Sequence, residues 1–183
     1  TSGGSPSFAM FGGTDRIGAY QSIGFGQTSD AVFLPGFLTG GATGDIKLTE
    51  AWGVRGAFNH NWDPFWSTSF WGSYAGVRYN GDAFDILSAK GQFCASFNFG
   101  KTLSADYSCN PDFNIAQVGM VTRWTPVKNL TFSGEVGAFF LDQKFTGAVG
   151  PGGAAVAAPK PVAVYEFKDQ STVYLNVRVQ RNF

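Results

Sequence analysis

Three arginines and one glutamate are the residues best placed to act on a solute. Arg55, Arg123 and Arg178 fall in separate stretches of alternating apolar and polar residues, each on the polar phase, and Glu135 does the same in a fourth. Asn176 and Gln180 flank Arg178 on its phase. Residues two apart point to one side of a strand, so each of these belongs to a wet face backed by an apolar one. Fixed charges on such a wall set the field through which small solutes move, and no bond need be made or broken. The simpler role is to hydrate the wall, or for the arginines to pair with Glu135. Bond-making chemistry finds little support. There is no P-loop, no G-x-S-x-G and no H-E-x-x-H. His60 is the single histidine. Asp82, Asp85, Asp106 and Asp112 lie in connecting segments, where solvated carboxylates are the default. The expectation is a protein that is not an enzyme and takes no cofactor or metal.

Cys94 and Cys109 are the two cysteines. In an extracytoplasmic protein they would close one loop by a disulfide, worth roughly 3 kcal/mol. Two free thiols of a cytosolic protein are the alternative. A zinc site is disfavoured, because His60 is distant and no C-x-x-C occurs. The 183 residues suit one domain. Lys plus Arg and Asp plus Glu balance at 13 each, which argues against a nucleic-acid or other polyanion partner. Aromatics at 16% and 25 glycines fit strands and turns. No run approaches the ~18 apolar residues of a transmembrane helix. A mean hydropathy near zero is what contact of alternate residues with lipid would give. The chain opens on Thr1-Ser-Gly-Gly-Ser-Pro-Ser7, with no initiator Met or signal peptide. That segment reads as loop, and the expectation is a piece whose first part is absent.

The elements that must position the charges follow from period 2. The clearest is 173–183, where Val173, Leu175, Val177, Val179 and Phe183 oppose Tyr174, Asn176, Arg178, Gln180 and Asn182. Five strands are predicted, at 50–61, 65–80, 113–125, 130–144 and from 170 onward. In the first, Trp52, Val54 and Phe58 oppose Arg55, Ala57 and Asn59. In the second, Trp66, Thr68 and Phe70 alternate with Ser67, Ser69 and Trp71. A bulge after Tyr74 is expected to turn Val77 and Tyr79 outward, and Arg78 lies beyond it. In the third, Val118, Met120 and Trp124 oppose Gln117, Gly119 and Arg123. In the fourth, Phe132, Val136 and Phe140 oppose Thr131, Ser133 and Glu135.

The connections alternate between short and long. Segments 62–65 and 126–129 are tight turns with Asp-Pro and Pro-x-x-Asn chemistry, whereas 81–112 and 146–169 are long. Long loops are uncommon in compact soluble domains but regular in outer-membrane barrels, whose periplasmic turns are short. A strand of about eleven residues at ~3.3 Å, tilted ~45°, rises about 25 Å, the height of the apolar band. Trp52, Trp66, Trp124 and Phe183 lie near strand ends on the outward phase, where an aromatic girdle sits. Aromatics of a sandwich core are the alternative. Residues 1–49 read mostly as external loop, with some strand character at 20–25 and 30–34. The fold class expected is all-β, an antiparallel transmembrane β-barrel, with the whole of 1–183 in one barrel domain.

Particular stretches resemble a known family. Ala51-Trp-Gly-Val-Arg-Gly-Ala-Phe-Asn-His-Asn-Trp-Asp-Pro64 is similar to a down-strand and turn of alphaproteobacterial, rhizobial-type porins. So are Trp66-Ser-Thr-Ser69, Cys109-Asn-Pro-Asp-Phe113, Thr122-Arg-Trp-Thr-Pro126 and Val177-Arg-Val-Gln-Arg-Asn-Phe183. The resemblance implies a 16-stranded barrel, usually a homotrimer, forming a passive diffusion channel for small hydrophilic solutes and ions. The Cys pair also fits the family. Five or six strands would make this chain the C-terminal portion, without the loop that narrows the pore. The resemblance further implies the bacterial outer membrane as location, outer-membrane lipid and lipopolysaccharide as surroundings, and a terminal strand read by the barrel-assembly machinery. Two other functions stay open: a non-conducting barrel acting through its surface loops, and a soluble β-sandwich binding module.

Overall fold

Residues 7–40, 44–150 and 160–182 are described by the structure, a computed structural model. The expectations for Phe183, for the opening loop before Ser7 and for 151–159 concern residues outside them. In chain order the elements are β1 (Ser7–Gly12), β2 (Gln21–Gln27), β3 (Ala31–Leu34), α1 (Gly36–Thr39), β4 (Asp45–Asn61) and β5 (Trp66–Tyr79). Then come α2 (Ala89–Asn98), β6 (Thr102–Leu103), β7 (Phe113–Val127), β8 (Leu130–Gln143), β9 (Ala148–Gly150), β10 (Tyr165–Phe167) and β11 (Gln170–Arg181). The architecture is mostly β and antiparallel, as period 2 requires. Contacts divide the chain into two compact units.

All the strands read from the sequence belong to one six-stranded sheet, ordered β11-β8-β7-β5-β4-β3. Two hairpins set its registers. At the β4–β5 turn, Asp63 Oδ1 accepts from the N–H groups of Phe65 and Trp66 at 2.7 and 2.9 Å. At the β7–β8 turn, Asn129 takes the left-handed conformation at φ 68°, which Asn tolerates. The β7 strand runs on to Val127, so the turn is tighter than 126–129 and Pro126 is a strand residue. Among the described residues the sheet is open at both edges. The last strand has β8 as its one neighbour, and β4 beyond Leu48 has β5.

Two expectations about β4 and β5 need correction. The first strand begins at Asp45 rather than residue 50, because β3 pairs with it from Ala31·Leu48 to Leu34·Asp45. Trp52 therefore sits inside β4, not near its end. Nor does a bulge turn Val77 and Tyr79 outward. Across the pair, Trp62 meets Trp66, Asn59 meets Ser69, and Gly53 meets Ala75, all with one constant register. Val77 and Tyr79 stay on the phase of Ser69 and Trp71, where they are buried. Arg78 stays on the phase of Trp52: a side chain at Gly76 would meet Trp52, Asn114 and Arg78 together.

One unit gathers the N-terminal elements, Gly76–Asn114 and Asp142–Gln170. Segments 1–49, 81–112 and 146–169, read as loop, contribute a second sheet here, ordered β1-β2-β10-β9-β6. Its β10 runs parallel to β2, with Tyr165 opposite Gln21, and antiparallel to β9. Its core is aromatic. Phe145 stacks on Phe167 at 4.9 Å, and Phe97 lies 5.2 Å from Phe145 and 5.3 Å from Phe25. The α2 helix starts at Ser88, whose side chain accepts from Gly91 N–H at 3.0 Å, the usual N-cap bond. Phe93 and Phe97, one turn apart, stack at 5.8 Å, and Phe93 lies 5.2 Å from Tyr79.

The other unit takes in Gly53–Ala75, Ile115–Leu141 and the last strand. It is a single layer of sheet, so both of its faces are surfaces. Val54, Phe58, Val118, Leu175 and Val177, all on one face, are each more than half exposed.

Candidate functional site

The face opposite those apolar residues forms a concavity of about 590 Å³. Arg123, Glu135, Asn176, Arg178 and Gln180 all line it, with Ser69, Thr131 and Ser133 between them. Five of the six candidate wall residues thus come together. Arg55 shares the alternation of Ala57, which lines the concavity, but Arg55 itself does not.

Hydrogen bonds fix the rows of this wall. Thr125 and Thr131 face each other with their hydroxyls 3.1 Å apart. Two residues on, Arg123 therefore lies opposite Ser133. Ser133 Oγ in turn donates to the carbonyl of Arg178 at 3.4 Å. Arg123, Ser133 and Arg178 form one row across β7, β8 and β11. The Arg123 guanidinium donates to Ser69 Oγ at 2.8 Å, and Ser69 Oγ donates to Asn59 Oδ1 at 2.6 Å. Glu135 accepts from the Tyr174 hydroxyl at 3.1 Å. The expected alternative, arginines paired with Glu135, is not what the wall shows: no described ion pair involves Arg55, Arg123, Arg178 or Glu135.

Two aromatic rings, Trp71 and Tyr174, share the polar phase of the same wall. A side chain at Gly119 would come within 2.5 Å of the Trp71 ring, and one at Gly137 within 2.6 Å of Tyr174. Each ring covers a glycine on the neighbouring strand, where the missing Cβ lets it lie against the backbone. An aromatic on one strand facing a glycine on the next is the signal, but it is readable only once the register is known.

The apolar face carries an aromatic belt at its tight-turn end. Trp66 stacks on Trp124 at 5.7 Å, and Trp124 lies 5.4 Å from Phe132. His60 stands between Phe58 and Trp62, 6.5 and 4.4 Å from their rings. The belt rings are exposed, and Trp62 still satisfies its indole N–H on Thr68 Oγ1 at 3.0 Å.

In the loop unit, Cys94 and Cys109 form a disulfide with Cα atoms 5.8 Å apart. Beside it, Lys90 and Asp112 pair at 2.7 Å with both side chains mostly buried, and Asp112 also accepts from Tyr79 N–H at 2.8 Å. Asp112 is thus a structural anchor rather than a solvated carboxylate. Asp106 binds the Arg16 guanidinium through both oxygens at 2.7 Å. That contact and a hydrogen bond from Ser104 hold its carboxyl well below the usual range. Whatever the exposed pair adds is present near neutrality and fades as acid protonates Asp106. Burial pushes the Tyr107 hydroxyl up; it donates to Asn98 at 2.6 Å. Asp82 and Asp85 accept backbone N–H bonds from Phe84 and Leu87. Among the described residues no His, Cys, Asp and Glu gather as a metal site would need.

Antiparallel strands with one exposed apolar face, an aromatic belt at the tight-turn end and a polar concave face define the wall of a membrane β-barrel. Residues 12–176 match the family model described as the porin subfamily. The chain belongs to that family of porin-type outer-membrane channels. No characterised protein and no solved structure gave a match.

Proposed function

We propose that this chain forms part of a passive diffusion channel for small hydrophilic solutes and ions in the bacterial outer membrane. The carrying observation is the separation of its sheet into two surfaces. Val54, Phe58, Val118, Leu175 and Val177 meet lipid; Arg123, Glu135, Asn176, Arg178 and Gln180, with Arg55 further along, meet the water of the pore. In a soluble sandwich the apolar set would be buried between sheets, yet here it is exposed. Trp66 and Trp124 with Trp62 form the girdle at the tight-turn side. About ten residues of strand, ~23 Å at a ~45° tilt, separate Trp62 from Trp52 on β4. That distance spans the apolar band and makes Trp52 part of the opposite girdle. Next to Trp52 the outward phase turns polar: Arg78 donates to Asn114 at 2.5 Å, Asn114 to Asp142 at 2.8 Å, and Lys144 pairs with Asp142 at 2.6 Å. Charges on a lipid face are tolerated at that level and costly at midplane.

Open sheet edges expose backbone N–H and C=O groups that lipid cannot satisfy. The wall is therefore completed by further strands, in keeping with a 16-stranded barrel and a trimer. Its terminal strand serves recognition by the barrel-assembly machinery, and lipopolysaccharide surrounds the outer rim. One observation favours a second role through the loops: they build a disulfide-tied unit with an aromatic core of its own. The discriminating experiment is single-channel recording in planar bilayers. Stable ohmic steps are expected; folded, inserted protein that conducts nothing would leave the loop role standing instead.

A further inference from the structure

Resting on the channel reading above, we propose that this wall favours anions, with Arg123 and Arg178 forming a transient station for small oxyanions such as phosphate and carboxylates. The two arginines share one row, separated by β8 alone. Two inter-strand spacings set their backbones about 10 Å apart. Both line the same concavity, with Ser133 between them. Long guanidinium side chains reach across such a gap, and their planar donors suit carboxylate and phosphate oxygens.

The charge balance around that row favours the same ligand. Arg123 spends a hydrogen bond on neutral Ser69, and no described ion pair neutralises Arg123 or Arg178. Among the described residues Glu135 is the one carboxylate lining the concavity, and it accepts a hydrogen bond from the Tyr174 hydroxyl. The neutral polar lining, which includes Thr131, Ser133, Asn176, Gln180 and Asn182, supplies hydroxyls and amides that replace part of an ion's water. Two arginines against one glutamate leave the cleft with a net positive charge, and such a cleft concentrates the opposite ion. Other candidates carry less. The cleft beside the disulfide, lined by Phe84, Ile86 and Tyr107, has nothing to say what fills it.

The test uses the porin in planar bilayers under a tenfold KCl gradient. The zero-current potential should report chloride passing faster than potassium. R123Q/R178Q should lower the chloride-to-potassium permeability ratio by about threefold, as loss of the focusing charge implies, while R123K/R178K keeps it. Added inorganic phosphate should reduce the chloride current of the unmodified channel and spare the R123Q/R178Q channel. A cation-preferring wild type, or a ratio unmoved in a double glutamine variant that still shows full steps, overturns the proposal and leaves the channel intact. Equal phosphate block in both channels removes the station. Absence of any steps overturns the channel reading and this inference with it.

Discussion

Arginine at Val118 is expected to cost the folded, membrane-inserted protein ~2–4 kcal/mol, whereas arginine at the adjacent Gln117 costs close to nothing. Val118 lies near the middle of β7, about ten residues from the tight turn, and is more than half exposed on the apolar face. A guanidinium there has no acceptor and too much hydrocarbon on either side to snorkel. Gln117 lies on the opposite phase, that of Gly119, where the Trp71 ring packs, and an added charge there faces water. Reversible folding into lipid vesicles, followed by denaturant titration of both variants, gives the two free energies. Equal costs would mean that the two faces of β7 meet the same medium.

Loss of the disulfide should have the second-largest effect, and a local one. Replacing Cys94 and Cys109 by Ser removes a cross-link between residues 15 apart in sequence, worth roughly 3 kcal/mol in the chain-entropy account. The Lys90–Asp112 pair and the Phe93–Tyr79 contact bracket the same segment, so they will loosen with it. Limited proteolysis of inserted protein should then cut within 81–112 many times faster, with the membrane strands still protected. Unchanged resistance in the double Ser variant would show that the aromatic core holds the loop without the bond.

The strands were legible because water and lipid impose period 2, and the reading failed where the medium changed. Val77 and Tyr79 look outward-facing because they are apolar. They are in fact on the inner phase and both are buried there, Tyr79 against Phe93 of α2. Arg78, which looks inward-facing for the converse reason, lies on the outer phase and is held by the carbonyls of Val77 and Phe113 and by Asn114. The early start of β4 depends on its pairing with β3, a contact no local pattern reports. The loop unit was invisible for a similar reason: Phe25, Phe97, Phe145 and Phe167 come from four separate segments with no common period. Of the polar face, the shared phase of Arg123, Glu135, Asn176, Arg178 and Gln180 was readable in sequence. The row joining Arg123, Ser133 and Arg178 was not, because it depends on the registers of two strand pairs.

Everything proposed about solutes depends on which face of the sheet is wet. Single cysteines placed along β11, from Tyr174 to Val179, can be probed in membranes with a water-soluble thiol reagent; the native pair, locked as a disulfide, stays silent. Modification should alternate, fast at 174, 176 and 178 and slow at 175, 177 and 179. Uniform labelling along the strand, or alternation in the opposite phase, would contradict the assignment of the polar face to the pore.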